Sequence, residues 1–212
     1  MLTVLYQDQD VVVCVKPAGI LSQDAGERSM PAMLRKQLGV EYVAVIHRLD
    51  KEVGGVMVYA LSQKAAAGLS RAVQEHKLEK IYWAVLRGKP AEPKAVLKDL
   101  LFHDQNRNKT YVVDRQRKGV KDASLEYEIL QNGETFTLVR IQLHTGRTHQ
   151  IRVQFASRKL PLVGDRKYGG KEAGTSLCLW STELSFVHPV TGVQMHYVRE
   201  PDWLEGCRSW FI

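Results

Sequence analysis

Cysteine is scarce in this chain, and long apolar runs are missing from it. Cys14, Cys178 and Cys207 are odd in number, far apart and never arranged as C-x-x-C. That excludes a disulfide framework and a zinc ribbon, and leaves reduced, mostly buried thiols. No stretch approaches the ~18 apolar residues of a membrane span. The segment from Met1 to Asp8 has neither a basic n-region nor a cleavage site, so a cytoplasmic address and no membrane association are expected. The 7 histidines are scattered, with no H-E-x-x-H, and no metal is expected. A G-x-G-x-x-G after a strand, a P-loop and a G-x-S-x-G elbow are also missing. This argues against dinucleotide, nucleoside triphosphate and serine-hydrolase chemistry, and no cofactor is expected.

Acidic residues are outnumbered, 23 against 30 Lys and Arg, for a formal net charge of +7. The distribution says more than the total. Arg107, Lys109, Arg115, Arg117, Lys118 and Lys121 face only Asp114. Arg140, Arg147, Arg152, Arg158, Lys159, Arg166, Lys167 and Lys171 face only Asp165. One such run is most simply a solvated face. Two of one sign, flanking an apolar segment, point to a polyanion such as nucleic acid. With 212 residues and 44% apolar content, the chain can bury a real core.

Strand signals dominate. The β-branched run at 11–15 stops at Pro17-Ala18-Gly19, a turn signal. Further strands are expected at 42–46, 55–60, 81–86, 95–102, 110–113, 124–130, 136–143, 176–187 and 194–198. Asn132-Gly133 predicts a tight hairpin turn, since both residues tolerate positive φ. Ser62 offers an N-cap oxygen to a helix over 63–77, whose Ala65, Leu69, Ala72 and Val73 share a face. A second helix is expected over 148–157, with His149 and Arg152 three apart on one side. These elements predict one mixed α+β domain over 1–212, built on a largely antiparallel sheet.

Three stretches join ionisable groups to turn glycines. In His47-Arg48-Leu49-Asp50-Lys51-Glu52-Val53-Gly54-Gly55, a carboxylate follows an apolar run and sits between two cations. Asp50 is there either a salt-bridged turn residue or a nucleophile. In Lys80-Ile81-Tyr82-Trp83-Ala84-Val85-Leu86-Arg87-Gly88, Tyr82 faces away from Ile81 and Trp83. It is a core tyrosine or a group that meets a ligand. The third is Leu143-His144-Thr145-Gly146-Arg147-Thr148-His149-Gln150-Ile151-Arg152, followed by Gly164-Asp165-Arg166-Lys167-Tyr168-Gly169.

Together "HRLDKEVGG", "KIYWAVLRG", "LHTGRTHQIR" and "PLVGDRKYGG" resemble the successive motifs of the RluA-type pseudouridine synthases. "VVVCVKPAGILSQ" resembles that family's N-terminal strand and turn. The likeness runs in family order from about Leu5 to His196. It implies the pseudouridine synthase catalytic fold and an isomerase that turns specific uridines in structured ribosomal or transfer RNA into pseudouridine, without cofactor, as a monomer.

The resemblance makes Asp50 the nucleophile, Arg152 the cation that keeps it ionised, and Tyr82 the active-site tyrosine. Arg48 fills the gap left by a flipped-out base. Arg147, Arg166 and Lys167 are possible phosphate contacts, as are Arg158 and Lys159. His47 and His149 are hydrogen-bonding scaffold.

Two departures stand out. Val53-Gly54 occupies the place of the family's usual Thr-Ser, and no S4-type N-terminal domain is expected. The alternative is a non-catalytic RNA-binding protein that retains the synthase fold. A glycoside-type hydrolase ranks last, because only one convincing carboxylate is visible where such enzymes use two.

Overall fold

The computed structural model of the protein describes residues 1–170 and 175–211. Lys171, counted in the second basic run, lies outside them. In chain order these residues form β1 (Thr3–Gln7), β2 (Val11–Lys16), α1 (Met30–Leu38), β3 (Ala44–Val45), β4 (Gly54–Ala60), α2 (Gln63–Gln74), β5 (Glu79–Arg87), β6 (Lys94–Asp104) and β7 (Lys109–Val113). There follow β8 (Val120–Asn132), β9 (Phe136–Leu143), α3 (Gln150–Ala156), β10 (Leu179–Val187), β11 (Gln194–Val198), α4 (Leu204–Cys207) and a 3-10 turn, Arg208–Phe211. The contacts divide the chain into two compact units, Met1–Lys80 with Trp180–Pro201, and Ile81–Leu179 with Asp202–Ile212. The α+β class expected from the sequence holds.

In the first unit β4 is central and wholly buried. One edge carries β2 antiparallel along its length, from Val11↔Ala60 to Lys16↔Gly55. The other edge is shared. β10 joins in parallel at Gly54 and Gly55, and β3 joins antiparallel at Tyr59 and Ala60. The β-branched run of β2 packs with Val56, Val58, Leu184 and Phe186 under α2, which contributes Ala65 and Leu69. Ser62 caps α2 as expected, its Oγ accepting from the Ala65 N–H. The helix ends at Gln74 rather than 77. His76 adopts a left-handed φ of 57°, and the Lys77 and His76 amides turn back to the carbonyls of Ala72 and Val73. That is the backbone pattern glycine usually serves at a helix end.

In the second unit β5, β9, β8, β6 and β7 are successive antiparallel neighbours. The strand expected at 42–46 shrinks to β3. The helix expected over 148–157 starts only at Gln150, because His149 has φ 55° and stands before the helix. His149 and Arg152 therefore do not form the helical i, i+3 pair read from the spacing.

The Asn132-Gly133 expectation is also corrected. The hairpin exists, but Asn132 pairs with Thr137 as a strand residue and neither Asn132 nor Gly133 has positive φ. Gly133 is required for space, since a Cβ there would collide with the Trp210 carbonyl oxygen. Helix α1 was not read from the sequence, although Pro31 near its start and Gly39 at its left-handed C-cap mark it. Cys14, Cys178 and Cys207 are buried thiols, as expected, and burial pushes the Cys14 thiol up to about 12. Among the described residues no helix is long and apolar enough to cross a membrane.

Candidate active site

Asp50 lies in the connection between β3 and β4, in the first unit. Its carbonyl accepts from the Val53 N–H at 3.1 Å, so Asp50 opens a four-residue turn, a position that favours aspartate. Burial alternates through the motif: His47 and Leu49 are buried, Arg48 is exposed and Asp50 is half-buried. Arg48 points outward and donates from Nη1 to Gln23 Oε1 at 3.1 Å. Its guanidinium is thus turned to the surface, and its hydrogen-bond partner is an amide.

Two residues that sequence reasoning missed hold this segment. The Lys16 ammonium, at the end of β2 and fully buried, donates to the carbonyls of Pro17, Lys51 and Val53 at 2.9, 3.1 and 2.7 Å. Burial pulls its pKa down to about 8, against the opposing pull of the Asp50 and Glu52 carboxylates. Ser22 fixes Leu49 from both sides. Its Oγ accepts from the Leu49 N–H at 3.2 Å and donates to the Leu49 carbonyl at 2.7 Å. Both lie in the quoted "VKPAGILSQ" stretch, but nothing in residue spacing brings them to Asp50.

His47 accepts the Val58 N–H at Nε2, 3.2 Å away, as scaffold. Burial, with the nearby Lys80 charge, lowers its pKa to about 3, so its ring is neutral.

The double glycine has a structural reason. A Cβ on Gly54 would lie 2.8 Å from Cε3 and 3.0 Å from Cη2 of Trp180, inside its ring. Gly55, at φ 125°, runs so close to the Ser181 backbone that no side chain fits. The indole takes the space that a serine would occupy at position 54, and its Nε1–H is anchored on the Arg199 carbonyl at 2.9 Å.

The second unit holds Tyr82, Arg147, Arg152, Arg166 and Lys167. Tyr82 is buried on β5, paired with Ile141 of β9. Arg152 is 4% exposed and forms a two-pronged pair with Asp165: Nε to Oδ2 at 2.7 Å and Nη2 to Oδ1 at 2.8 Å. Asp165 Oδ1 also accepts from the Lys167 and Tyr168 amides, both at 3.2 Å. One face of the guanidinium sits over the Tyr168 ring, 5.3 Å from its centroid. The Tyr168 hydroxyl accepts the Thr110 N–H at 2.7 Å and meets His149 Nδ1 at 2.9 Å. Asp165 and Tyr168 thus fix the plane of Arg152. Both lie in the Gly164–Gly169 stretch, where the sequence singles out their neighbours Arg166 and Lys167 instead.

Gln150 ties the preceding loop together. Its Oε1 accepts from Arg147 N and Thr145 Oγ1, and its Nε2 donates to the Ser124 carbonyl.

The basic residues differ in how free they are. Arg147 is exposed but donates from Nε to the Asp122 carbonyl at 2.9 Å. Lys167 donates to the Asn108 carbonyl at 2.8 Å. Arg158 is held in a two-pronged pair with Asp99. Arg166 is exposed.

The family profile described as "RNA pseudouridylate synthase" matches residues 10–157, more than half of the chain. The chain is similar to an "Uncharacterized RNA pseudouridine synthase" of Aquifex aeolicus (strain VF5), 34% identical, covering 99% of this chain and 72% of that protein. It is also 31% identical to a "Ribosomal large subunit pseudouridine synthase D" of Pseudomonas aeruginosa, over 92% of this chain and 67% of the relative. In structure it resembles "Human RNA Pseudouridylate Synthase Domain Containing 1", with a TM-score of 0.84 at 22% identity over 100% of this chain and 88% of the other.

Proposed function

The chain belongs to the RluA-type family of RNA pseudouridylate synthases, and from that premise we propose that Asp50 is the nucleophile of its reaction. The protein is an isomerase that converts uridine in RNA to pseudouridine. The bond from the sugar C1′ to uracil N1 breaks, the base turns, and C1′ bonds to C5. The hydrogen on C5 leaves as a proton and N1 gains one, so there is no net redox change.

In this reading the Asp50 carboxylate acts on the substrate nucleotide. Arg152 favours its ionised form, since a cation opposes the desolvation that would protonate it. The buried Tyr82 presents its ring to the uracil and its hydroxyl to proton transfer. Arg48 fills the space left when the uridine leaves its stack, which costs a few kcal/mol. Its outward setting, with the Gln23 amide as a neutral partner, suits that task. Arg147, Arg166 and Lys167 meet phosphates. The substrate is structured RNA, ribosomal or transfer RNA, and residues 1–212 work as one catalytic domain, as a monomer in the cytoplasm.

The observation that carries the assignment of Asp50 is its setting. It opens a turn whose following carbonyls are gripped by the buried Lys16, so the carboxylate is held on a rigid segment. The Trp180 ring gives the glycine at position 54 a packing reason of its own, so that residue does not by itself favour a non-catalytic reading.

Tritium release from 5-tritiated uridine RNA tests the assignment. Asp50→Asn and Asp50→Ala should abolish release while RNA binding largely survives. An active Asp50→Ala protein would sink it.

A further inference from the structure

The first basic run, Arg107 to Lys121, borders a sheet face of the second unit that the chemistry of Asp50 leaves unused. Strand β6 lies between β7 and β8, and its residues alternate between two sides. Leu97 and Leu101 are buried, and Leu101 packs with Ala123 and the α3 residue Val153. Lys98, Leu100 and Phe102 face the other way. Leu100 pairs with Val113 on one side and Asp122 on the other, so these three form a row across the strands. Phe102 and Tyr111 pair in the next row. Leu100, Phe102, Tyr111 and Val113 are all half-buried.

This face holds a groove of about 410 Å³, to which Lys98, Leu100, Val113, Asp114, Asp122 and Thr145 contribute. Small-ligand sites span roughly 300 to 1,000 Å³. Leu100 and Val113 supply an apolar floor. Asp114 and Asp122 are exposed and come from the strands on either side of β6. Cations stand at the margins. Arg147 Nε donates to the Asp122 carbonyl at 2.9 Å. The Arg117 guanidinium lies 5.1 Å from the Phe102 ring centroid, and Lys109 Nζ lies 5.8 Å from that of Tyr111. Half-buried aromatics interleaved with cations suit single-stranded nucleic acid. A carboxylate in such a groove is selective, since it repels phosphate and acceptor-bearing base edges and takes only donors. Among the four RNA bases, only guanine has two adjacent donors on its Watson–Crick edge, N1–H and the 2-amino group. They match the two oxygens of one carboxylate.

We propose that this groove takes an unpaired guanine of the substrate RNA, with its ring against Leu100 and Val113, its donor edge on Asp122 and its phosphate at Arg147. The inference rests on the RNA-modifying activity and adds a sequence feature to its substrate.

The test uses the full chain and fluorescent oligo(A) decamers that carry one central guanosine, inosine, cytidine or uridine, or none. Anisotropy across a salt series reads affinity and salt slope for wild type, Asp122→Asn, Asp122→Ala and Arg147→Ala. A bidentate base contact discriminates roughly tenfold, so wild type should prefer the guanosine decamer by that order. Inosine keeps N1–H but lacks the amino group, and should fall between. Asp122→Asn should erase the preference at an unchanged salt slope, because no phosphate contact is lost. It should also bind plain oligo(A) more tightly, since an amide offers adenine one donor and one acceptor. Asp122→Ala should erase the preference without that gain. Thermal midpoints of both should match wild type, because the side chain is exposed. Arg147→Ala should weaken every decamer and lower the slope by about 0.7, with guanosine still preferred. Equal binding of all decamers by wild type, or a guanosine preference that survives in Asp122→Ala, would overturn the assignment. If wild type neither binds the decamers nor releases tritium from 5-tritiated uridine transcripts, the RNA-modifying function itself falls. Tritium release without a guanosine preference overturns the groove alone.

Discussion

At the scale of single residues, buried charge is the organising feature. Asp165 neutralises the guanidinium of Arg152 while capping the turn that follows it. Removing one member of a buried, two-pronged ion pair typically costs about 3 to 5 kcal/mol. Asp165→Asn is therefore expected to lower urea stability by that order, and to reduce isomerisation more than RNA binding. Wild-type stability and rate in that variant would refute the positioning role.

Lys16 makes a pH prediction. Its folded pKa of about 8 lies below its ordinary 10.5. Between those values the unfolded chain holds the proton more tightly than the folded one, so raising pH from about 8 to 10.5 adds stability. The slope approaches 1.4 kcal/mol per pH unit. Below pH 8 the cost of burying the ammonium is fully present and constant. Urea midpoints of wild type and Lys16→Met, compared at pH 7 to 10, should diverge in favour of wild type as pH rises. A constant difference would contradict the assigned titration.

At the scale of elements, the contact of β4 with β10 decides what position 54 can hold. The Trp180 ring fills the volume over Gly54. Adding a side chain there forces overpacking, which costs typically about 1 to 3 kcal/mol. Gly54→Ser should therefore destabilise the chain by that order, and combined with Trp180→Ala it should cost less than the two single changes added. Strict additivity of the unfolding free energies would show that the two sites do not compete for space.

The same scale separates what could be read locally from what could not. The β-branched run of β2 and the Ser62 cap were legible because their causes lie within a few residues. The helix expected at 148–157 starts two residues late because His149 adopts a left-handed conformation while meeting Tyr168, which is 19 positions away. The turn expected at Asn132-Gly133 failed for a similar reason. Gly133 answers to the Trp210 backbone, not to the hairpin.

At the scale of the whole molecule, the +7 charge is not uniformly available to a polyanion. Arg158 is spent on Asp99, and Arg152 is paired with Asp165 inside the fold. Arg166 is exposed and, among the described residues, has no ion pair. Arg166→Ala should weaken RNA binding and reduce the salt slope by just under one, whereas Arg158→Ala should act mainly on stability. Equal effects of the two on the salt slope would show that burial and pairing do not sort these cations.

The sequence by itself determined the family, the α+β class and the residues worth testing, because motif identity and hydrophobic period are local properties of the chain. It could not show that Lys16 grips the carbonyls after Asp50, that Asp165 faces Arg152, or that the Trp180 ring makes glycine necessary at position 54. Lys16 and Lys51 are 35 residues apart, and Gly54 and Trp180 more than a hundred. Such partners are chosen by packing and by the need to satisfy buried polar groups, and only the tertiary structure brings them into contact.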